Sequence, residues 1–409
     1  VSVRLLLRCS GGGKWHVVSG FRIRWVQEVE RGLEELRDGF TEVSGEELAH
    51  GCQNVIQIHN RKYNSLITPL PIRNGLNPSR VMVPRGDFAG GGAVKSQEFL
   101  EYLISTQNRR HPDDNAEAIR ERFARGEVTD DRGRALSPDD RLLPGQFINF
   151  YRQPAPEREV PGALGVLYRD QDLVVVDKPP FLSTLPRGQH ITQTALVRAR
   201  IQLGIPELSP SHRLDRLTRG VLMFTARPEV RGAYQTMFDR REATKIYEAI
   251  TPVPEDAPFR AIDEFRDWAE WDLPTERRPW RLKHHMVKIR GRLSTYLTNA
   301  EPNAVTFVEG IERRRVQPEG RDVLVWRLRP ATGKTHQLRV AMRTLGLPLV
   351  NDPLYEDVSD EALWNPEAAL PSPVFVEDED FSKPMGLVAK ELQFIDPLSG
   401  KRRKFVSNY

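Results

Sequence analysis

Asp215 stands in the run Ser211-His-Arg-Leu-Asp-Arg-Leu-Thr-Arg-Gly-Val-Leu-Met-Phe-Thr225, among Arg213, Arg216 and Arg219 and just ahead of a strand-like apolar stretch beginning at Gly220. A carboxylate beside a buried strand needs a positive partner, because an unpaired buried charge costs several kcal/mol or neutralises itself. An arginine close by lowers the carboxyl pKa and leaves Asp215 ionised, available as a nucleophile. The competing reading is that Asp215 only ends a loop, bound to Arg213 or Arg216.

A second group of chemically capable residues is Arg329-Pro-Ala-Thr-Gly-Lys-Thr-His-Gln-Leu-Arg339. A strand stops at Pro330, the chain turns at Thr332-Gly-Lys334, and Thr335 is a suitable N-cap for the helix that follows. That helix would bury Leu338, Ala341, Met342 and Leu345 and end at Gly346 and Pro348. Arg339 and Arg343 share one of its faces. Thr-Gly-Lys-Thr is not a phosphate loop, since the position five residues before Gly333 is Leu328 and the pattern demands glycine there.

Both groups need a scaffold. Gly165–Tyr168 and Leu173–Val176 read as antiparallel strands about a polar turn, with Lys178-Pro-Pro180 breaking the second. Pro228 opens a helix whose buried face carries Val230, Ala233, Tyr234, Met237 and Phe238. Lys245–Ile250 and Leu324–Arg329 are further strands. Strands with single helices and hairpins among them predict an α+β fold on a largely antiparallel sheet.

Upstream, Phe99–Ile104 and Ala116–Phe123 predict two short helices and Gln146–Tyr151 a strand, a compact module over 72–151. A Pro-rich linker, 152–162, separates it from the main body, 163–409. Residues 1–70 are poorly patterned, although Val26, Val29, Leu33, Leu36 and Phe40 have helical spacing. They are either a helical appendage or, the favoured reading, an upstream extension from a misplaced start. Phe265–Trp280 is an extra segment, read as a covering loop in preference to a recognition insert.

The chain has 409 residues, 39% hydrophobic and 28% charged, which fits globular domains and not a disordered chain. No apolar run approaches the roughly 20 residues that span a bilayer, and no secretory signal pattern opens the chain. A cytoplasmic protein without membrane contact is expected. With Cys9 and Cys52 the only cysteines, and scattered histidines, neither a disulfide framework nor a metal site is expected. The net charge is only +4, yet residues 281–345 hold 14 Lys/Arg against 5 Asp/Glu. Such an excess is the footprint of phosphate binding, or else a solvated charged face.

His-Arg-Leu-Asp215 followed by Thr218 and Gly220, with the later Thr-Gly-Lys-Thr-His-Gln-Leu-Arg339, resembles the RNA pseudouridine synthases of the RluA type. The similarity extends through Val166–Pro180, Lys245-Ile-Tyr247, Gly346–Tyr355 and Leu392–Gly400, in order, over about 165–405. It implies that Asp215 is the catalytic aspartate and that Arg213 displaces the target uridine from its stack. It implies that Tyr247 packs on the base and Arg339 pairs with the catalytic carboxylate, with His212, Thr218, Lys334 and His336 in support. The implied partner is structured ribosomal or transfer RNA, with no cofactor, no metal and a monomeric enzyme. Residues 98–151 resemble the small RNA-binding domain that often precedes these synthases. Leu217, Arg219, Lys334 and Val388-Ala-Lys390 depart from the usual pattern. These changes are expected in the loop beside Asp215 and at the rim of the site, bearing on substrate choice more than on catalysis. They also sustain a different reading, an inactive RNA-binding relative acting in RNA folding or ribosome assembly.

Overall fold

The computed structural model describes residues 70–85, 92–107, 109–253, 273–290, 292–316, 320–368 and 378–409, and the backbone of 5–8 and 15–18. The chain divides into Val1–Ile67 and Thr68–Tyr409. In the first unit β1 (Leu5–Arg8) pairs antiparallel with β2 (Trp15–Val18). The helix expected over 26–40 and residues 265–272 of the Phe265–Trp280 segment lie outside the described residues.

The second unit begins with a small sheet-and-helix assembly. It comprises β3 (Ser79–Met82), β4 (Val94–Lys95), α1 (Ser96–Ser105), α2 (Ala116–Ala124), β5 (Val128–Thr129), β6 (Arg141–Leu142) and β7 (Phe147–Phe150). Its core is its own: Phe99, Leu100 and Ile104 of α1 and Ile119 and Phe123 of α2 close on Ile148 and Phe150. Asn115 caps α2 by accepting from the N–H groups of Glu117 (2.9 Å) and Ala118 (3.2 Å). The Pro-rich stretch that follows is pinned. The Glu157 carboxylate accepts from the N–H groups of Ile191 (2.9 Å), Thr192 (2.7 Å) and Gln193 (3.1 Å).

The remainder is built on one large sheet. Its members are β8 (Gly165–Arg169), β9 (Leu173–Lys178), β10 (Ser209–Pro210), β11 (Arg219–Thr225), β12 (Thr244–Pro252), β13 (Trp280–Val287), β14 (Tyr296–Thr298), β15 (Ala304–Val316), β16 (Arg321–Pro330), β17 (Leu387–Ile395) and β18 (Arg402–Val406). The strand order is β14-β13-β15-β16-β12-β17-β11-β9-β8, with β10 on β11 and β18 on β17. Only β11 and β17 pair in parallel among the described strands, so the fold is α+β. No helix among the described residues is long and apolar enough to cross a membrane.

Both faces of the sheet are covered, which is why β9 and β11 read as unbroken apolar runs instead of alternating ones. On one face Val174, Val176, Leu222 and Phe224 share a core with Ala195, Leu196 and Ala199 of α3 (Ala195–Leu203), and α5 (Gln337–Thr344) closes the same core over β13, β15 and β16. On the other, Val175, Val221 and Met223 meet Val230, Tyr234 and Met237 of α4 (Pro228–Asp239). Helix α3 was not anticipated; Thr194, whose hydroxyl accepts from Val197 N–H (3.3 Å), and the left-handed Gly204 are its start and stop signals.

Register decides where chemistry can occur. Lys178 lies opposite Gly220, Gly220 opposite Ala389, Ala389 opposite Tyr247, and Tyr247 opposite Leu328. This single row crosses five strands. A bulge in β12–β17 pairing at Ile246/Tyr247 leaves Lys390 unpaired and brings Tyr247 level with Ala389.

Farther along β17, Glu391 bonds Arg327 (2.8 Å), Lys404 (2.9 Å) and Gln393 (2.9 Å). Burial works against its ionisation, but these donors outweigh it and pull the carboxyl down to about 2. A depressed carboxyl pKa contributes stability above its unfolded value and loses it as pH falls. Glu391→Gln is therefore expected to lower Tm at pH 7. The gap to the wild type should close between about pH 4.5 and 2, read by thermal melts across that range.

Candidate active site

The loop between β10 and β11 carries Asp215 to the end of that row. It is held from three directions. The Lys178 ammonium, fully buried, donates to the carbonyls of Pro179 (2.9 Å), Leu182 (2.7 Å) and Arg216 (3.0 Å). Thr184 Oγ1 donates to Leu214 O (2.8 Å), and Thr218 N–H to Asp215 O (3.1 Å). The Arg216 guanidinium forms a two-bond pair with Glu379 (2.6 and 2.7 Å). Asp215 thus sits on a backbone fixed at the residues before and after it.

The Asp215 side chain itself is half-buried, and no described residue hydrogen-bonds or ion-pairs with its carboxylate. The expectation that arginines hold its pKa down is not met. Burial pushes the carboxyl above its ordinary range, and Arg339, Lys178 and Arg213 pull it back only in part. None of the three cations touches it, so desolvation prevails over attraction at a distance.

Arg339 also differs from expectation. Its pair is with Asp352: Nε donates to Oδ2 (2.7 Å) and Nη2 to Oδ1 (2.5 Å), with both side chains almost wholly buried. Asp352 further accepts from the N–H groups of Leu354 (3.0 Å) and Tyr355 (3.3 Å). The Tyr355 ring lies 5.0 Å from the Arg339 guanidinium, and its hydroxyl accepts from Thr295 N–H (2.8 Å). Arg339 acts on Asp215 through its charge, not through contact.

Arg213 is exposed and has no hydrogen bond or ion pair among the described residues. Tyr247 is half-buried against the main core, and burial together with the Asp215 charge raises its pKa. His212 supports instead of reacting. Its Nε2 accepts from Met223 N–H (3.2 Å), its ring packs 4.9 Å from Phe238, and burial with the nearby Lys245 charge drives its pKa well down. Thr218 is buried, and Lys334 is exposed on the loop ahead of α5.

Thr335 does not cap that helix. The Gln337 side chain closes the loop instead, accepting from Lys334 N–H (3.1 Å) and the Thr332 hydroxyl (2.8 Å). Thr335 gives its carbonyl to Thr295 Oγ1 (3.0 Å), and the turn is completed at His336 in the left-handed region (φ 55°). His336 Nδ1 lies 2.9 Å from the Tyr355 hydroxyl, and burial with the Arg339 and Lys288 charges brings its pKa to about 2. It is neutral throughout the working pH range.

Of the departures from the family pattern, Lys334 is exposed, while Leu217 and Arg219 follow Asp215 in its loop and at the start of β11. Leu217 packs in the main core, Arg219 is directed to Tyr409 (5.4 Å to the ring centre), and Lys390 donates to Ser407 O (3.0 Å). Within the basic stretch, Arg313, Arg314, Arg327, Arg329, Arg339 and Arg343 are ion-paired to carboxylates. Exposed Arg315, Arg321 and Lys334 have no ion pair among the described residues, so the local excess presented to a partner is smaller than the count suggests. Among the described residues no group of three His, Cys, Asp or Glu could hold a metal ion.

Residues 172–344 match the family model described as RNA pseudouridylate synthase. The tRNA pseudouridine synthase C of Vibrio vulnificus is 30% identical over 243 residues, covering 57% of this chain and 86% of that protein. The dual-specificity RNA pseudouridine synthase RluA of Haemophilus influenzae is 29% identical over 247 residues, with coverages of 59% and 91%. An uncharacterized RNA pseudouridine synthase of Synechocystis is 27% identical over 253 residues, with coverages of 62% and 79%. The matched span holds both Asp215 and Tyr247, and by that match and the likeness to these relatives the chain belongs to the RNA pseudouridine synthases of the RluA type.

Proposed function

We propose that the chain isomerises uridines in ribosomal or transfer RNA with Asp215 as its catalytic carboxylate, Arg213, Tyr247 and Arg339 as substrate-handling residues, and no cofactor. The observation that carries this reading is the open Asp215 carboxylate. It is held on a fixed backbone beside Tyr247, with Arg339 and Lys178 lending charge and none of its lone pairs occupied by a described residue. A half-buried carboxylate that served only to hold the loop would be expected to accept from a neighbouring donor.

Isomerisation breaks N1–C1′ and forms C5–C1′; the C5 proton passes to solvent and N1 regains a proton. An ionised carboxylate assists by attacking the ribose or the base, or by stabilising the cationic ribose as the bond breaks. Arg339 and Lys178 supply the field that keeps it anionic in a desolvated site. A uridine in folded RNA must first leave its stack, at a cost of a few kcal/mol, and stacking on Tyr247 returns about 1–3 kcal/mol. Exposed, unpaired Arg213 reaches the RNA before the base does. Residues 72–151, with their separate core and pinned 152–162 linker, act as an RNA-binding module ahead of the catalytic domain, 163–409.

Arg213→Ala is expected to lower single-turnover pseudouridine formation about 10²-fold or more, while RNA affinity falls less than tenfold. Filter binding and single-turnover tritium release from [5-³H]uridine-labelled RNA read the two quantities. Weaker binding with unchanged turnover of bound RNA would reassign Arg213 to simple phosphate contact. Substrate identity is read by pseudouridine mapping of total RNA from cells lacking the gene, beside cells carrying only Asp215→Asn.

A further inference from the structure

The two residues that flank Asp215 are held by segments that the linker holds in turn. Ahead of it, Leu214 exchanges hydrogen bonds with Thr184: its N–H donates to Thr184 Oγ1 (3.1 Å), and its carbonyl accepts from that hydroxyl (2.8 Å). The N–H groups of Ala195 and Leu196, at the start of α3, donate to Ser183 O (2.7 Å) and Thr184 O (3.2 Å). Ile191, Thr192 and Gln193, just before that helix, give their N–H groups to the Glu157 carboxylate. After Asp215, the Arg216 guanidinium closes on Glu379, and Glu379 O accepts from Arg158 Nη1 (2.8 Å). The Arg158 guanidinium lies 4.2 Å from the centre of the Phe381 ring, which packs 5.1 Å from Phe181.

Glu157 and Arg158 are neighbours, and a line of contacts runs from each to one side of Asp215. The near end of the linker is fixed to the module as well. Arg122 Nε donates to Tyr151 O (2.9 Å), and Gln153 Nε2 lies 3.1 Å from His111 Nδ1. A spacer that only kept two domains within reach of one RNA would need length and stiffness, and none of these bonds. Glu379 is the joint: it is 8% exposed, its carboxylate engages the Asp215 loop and its carbonyl engages the linker.

We propose that Arg158 and Glu379 are positioning residues for pseudouridine formation, through which the seated linker braces the Asp215 loop. The inference rests on Asp215 being the catalytic carboxylate. No described residue bonds that carboxylate, so its place is set by the backbone at Leu214 and Arg216. A displacement of about 1 Å there can cost on the order of 10² in rate.

The experiment uses the full chain and RNA labelled with [5-³H]uridine from cells lacking the protein. Single-turnover tritium release at saturating enzyme reads the rate on bound RNA, and filter binding reads affinity. Hydrogen exchange follows the Thr218 N–H, which donates to Asp215 O. Arg158→Met removes the donor to Glu379 O from an exposed position, so the core is untouched. Glu379→Gln weakens the pair with Arg216 at little change of shape. Each is expected to lower the rate about tenfold with affinity within about threefold, and to speed exchange at Thr218. Arg158→Lys, which keeps a donor, should recover most of the rate. Adding Arg158→Met to Glu379→Gln should cost less than about twofold more, because both act through one joint. Weaker binding with an unchanged rate on bound RNA would make Arg158 a phosphate contact and overturn the proposal. Slower turnover with unchanged exchange at Thr218 overturns it too, as does full additivity of the two variants. Asp215→Asn tests the premise separately: tritium release at the wild-type rate there removes Asp215 as the catalytic group, whatever the brace variants do.

Discussion

Asp215→Asn is expected to reduce pseudouridine formation by about 10⁴-fold or more, while RNA affinity is unchanged or slightly improved. Asparagine has the same shape, and no described residue donates to the carboxylate, so the exchange orphans no partner. Removing a negative charge from a site that receives a polyanion does not weaken binding. A second signature separates lost chemistry from lost structure. Because burial raises the Asp215 pKa in the fold, its ionised form is strained relative to the unfolded chain. The sign follows: a carboxyl with a raised folded pKa favours the fold when protonated and opposes it once pH exceeds that pKa. The variant should therefore melt above the wild type at pH 7, and the two should converge as pH falls through the unfolded aspartate range near about 3.9. A variant that is inactive and also less stable at pH 7 would mark Asp215 as a structural residue.

The scaffold was legible where burial leaves a period in the sequence. The two module helices, the β8–β9 hairpin, α4, β12 and β16 all follow from apolar spacing and punctuation by Gly and Pro. His-Arg-Leu-Asp215 stood out as a carboxylate among arginines beside an apolar strand, but the residues alone fitted a loop end equally well, and it was the resemblance that assigned it chemistry. What remained hidden was pairing. Arg339 has several carboxylates within reach in principle, and only the turn at 352–355 makes Asp352 the one it meets. Lys178 was visible as a charged residue ending the strand after Leu173–Val176 and Asp177, yet its role as a three-way tie to backbone carbonyls depends on where Leu182 and Arg216 return in space. The balance of desolvation against attraction at Asp215 was likewise unreadable, since residue spacing along the chain does not give the distances between charges. Thr335 shows the limit for caps: its residue type suits the role, but its carbonyl is taken by the Thr295 hydroxyl just before β14 and the helix starts later.

Gly220→Ala is expected to abolish the folded enzyme, with a cost of more than about 4 kcal/mol. The glycine is the second member of the row from Lys178 to Leu328, and here β11 and β17 meet in the one parallel pairing among the described strands. Its φ of +112° lies where a side chain is strained. An added Cβ would also stand inside the contact surface of Ala389 O and 2.9 Å from both Ala389 C and N. These are backbone atoms in the middle of a sheet, with Tyr247 pairing on the far side of Ala389. Relief requires β17 to move away from β11, which pulls Ala389 from under Tyr247 and lifts Thr218 and the Asp215 loop. Stability and catalysis should consequently fail together, the reverse of the Asp215→Asn outcome. The contrast is checked by urea unfolding alongside tritium release: Gly220→Ala should yield little soluble folded protein, and any folded fraction should be slow. A Gly220→Ala enzyme with wild-type urea midpoint and wild-type turnover would show that the close approach of β11 to β17 is not what places Asp215 beside Tyr247.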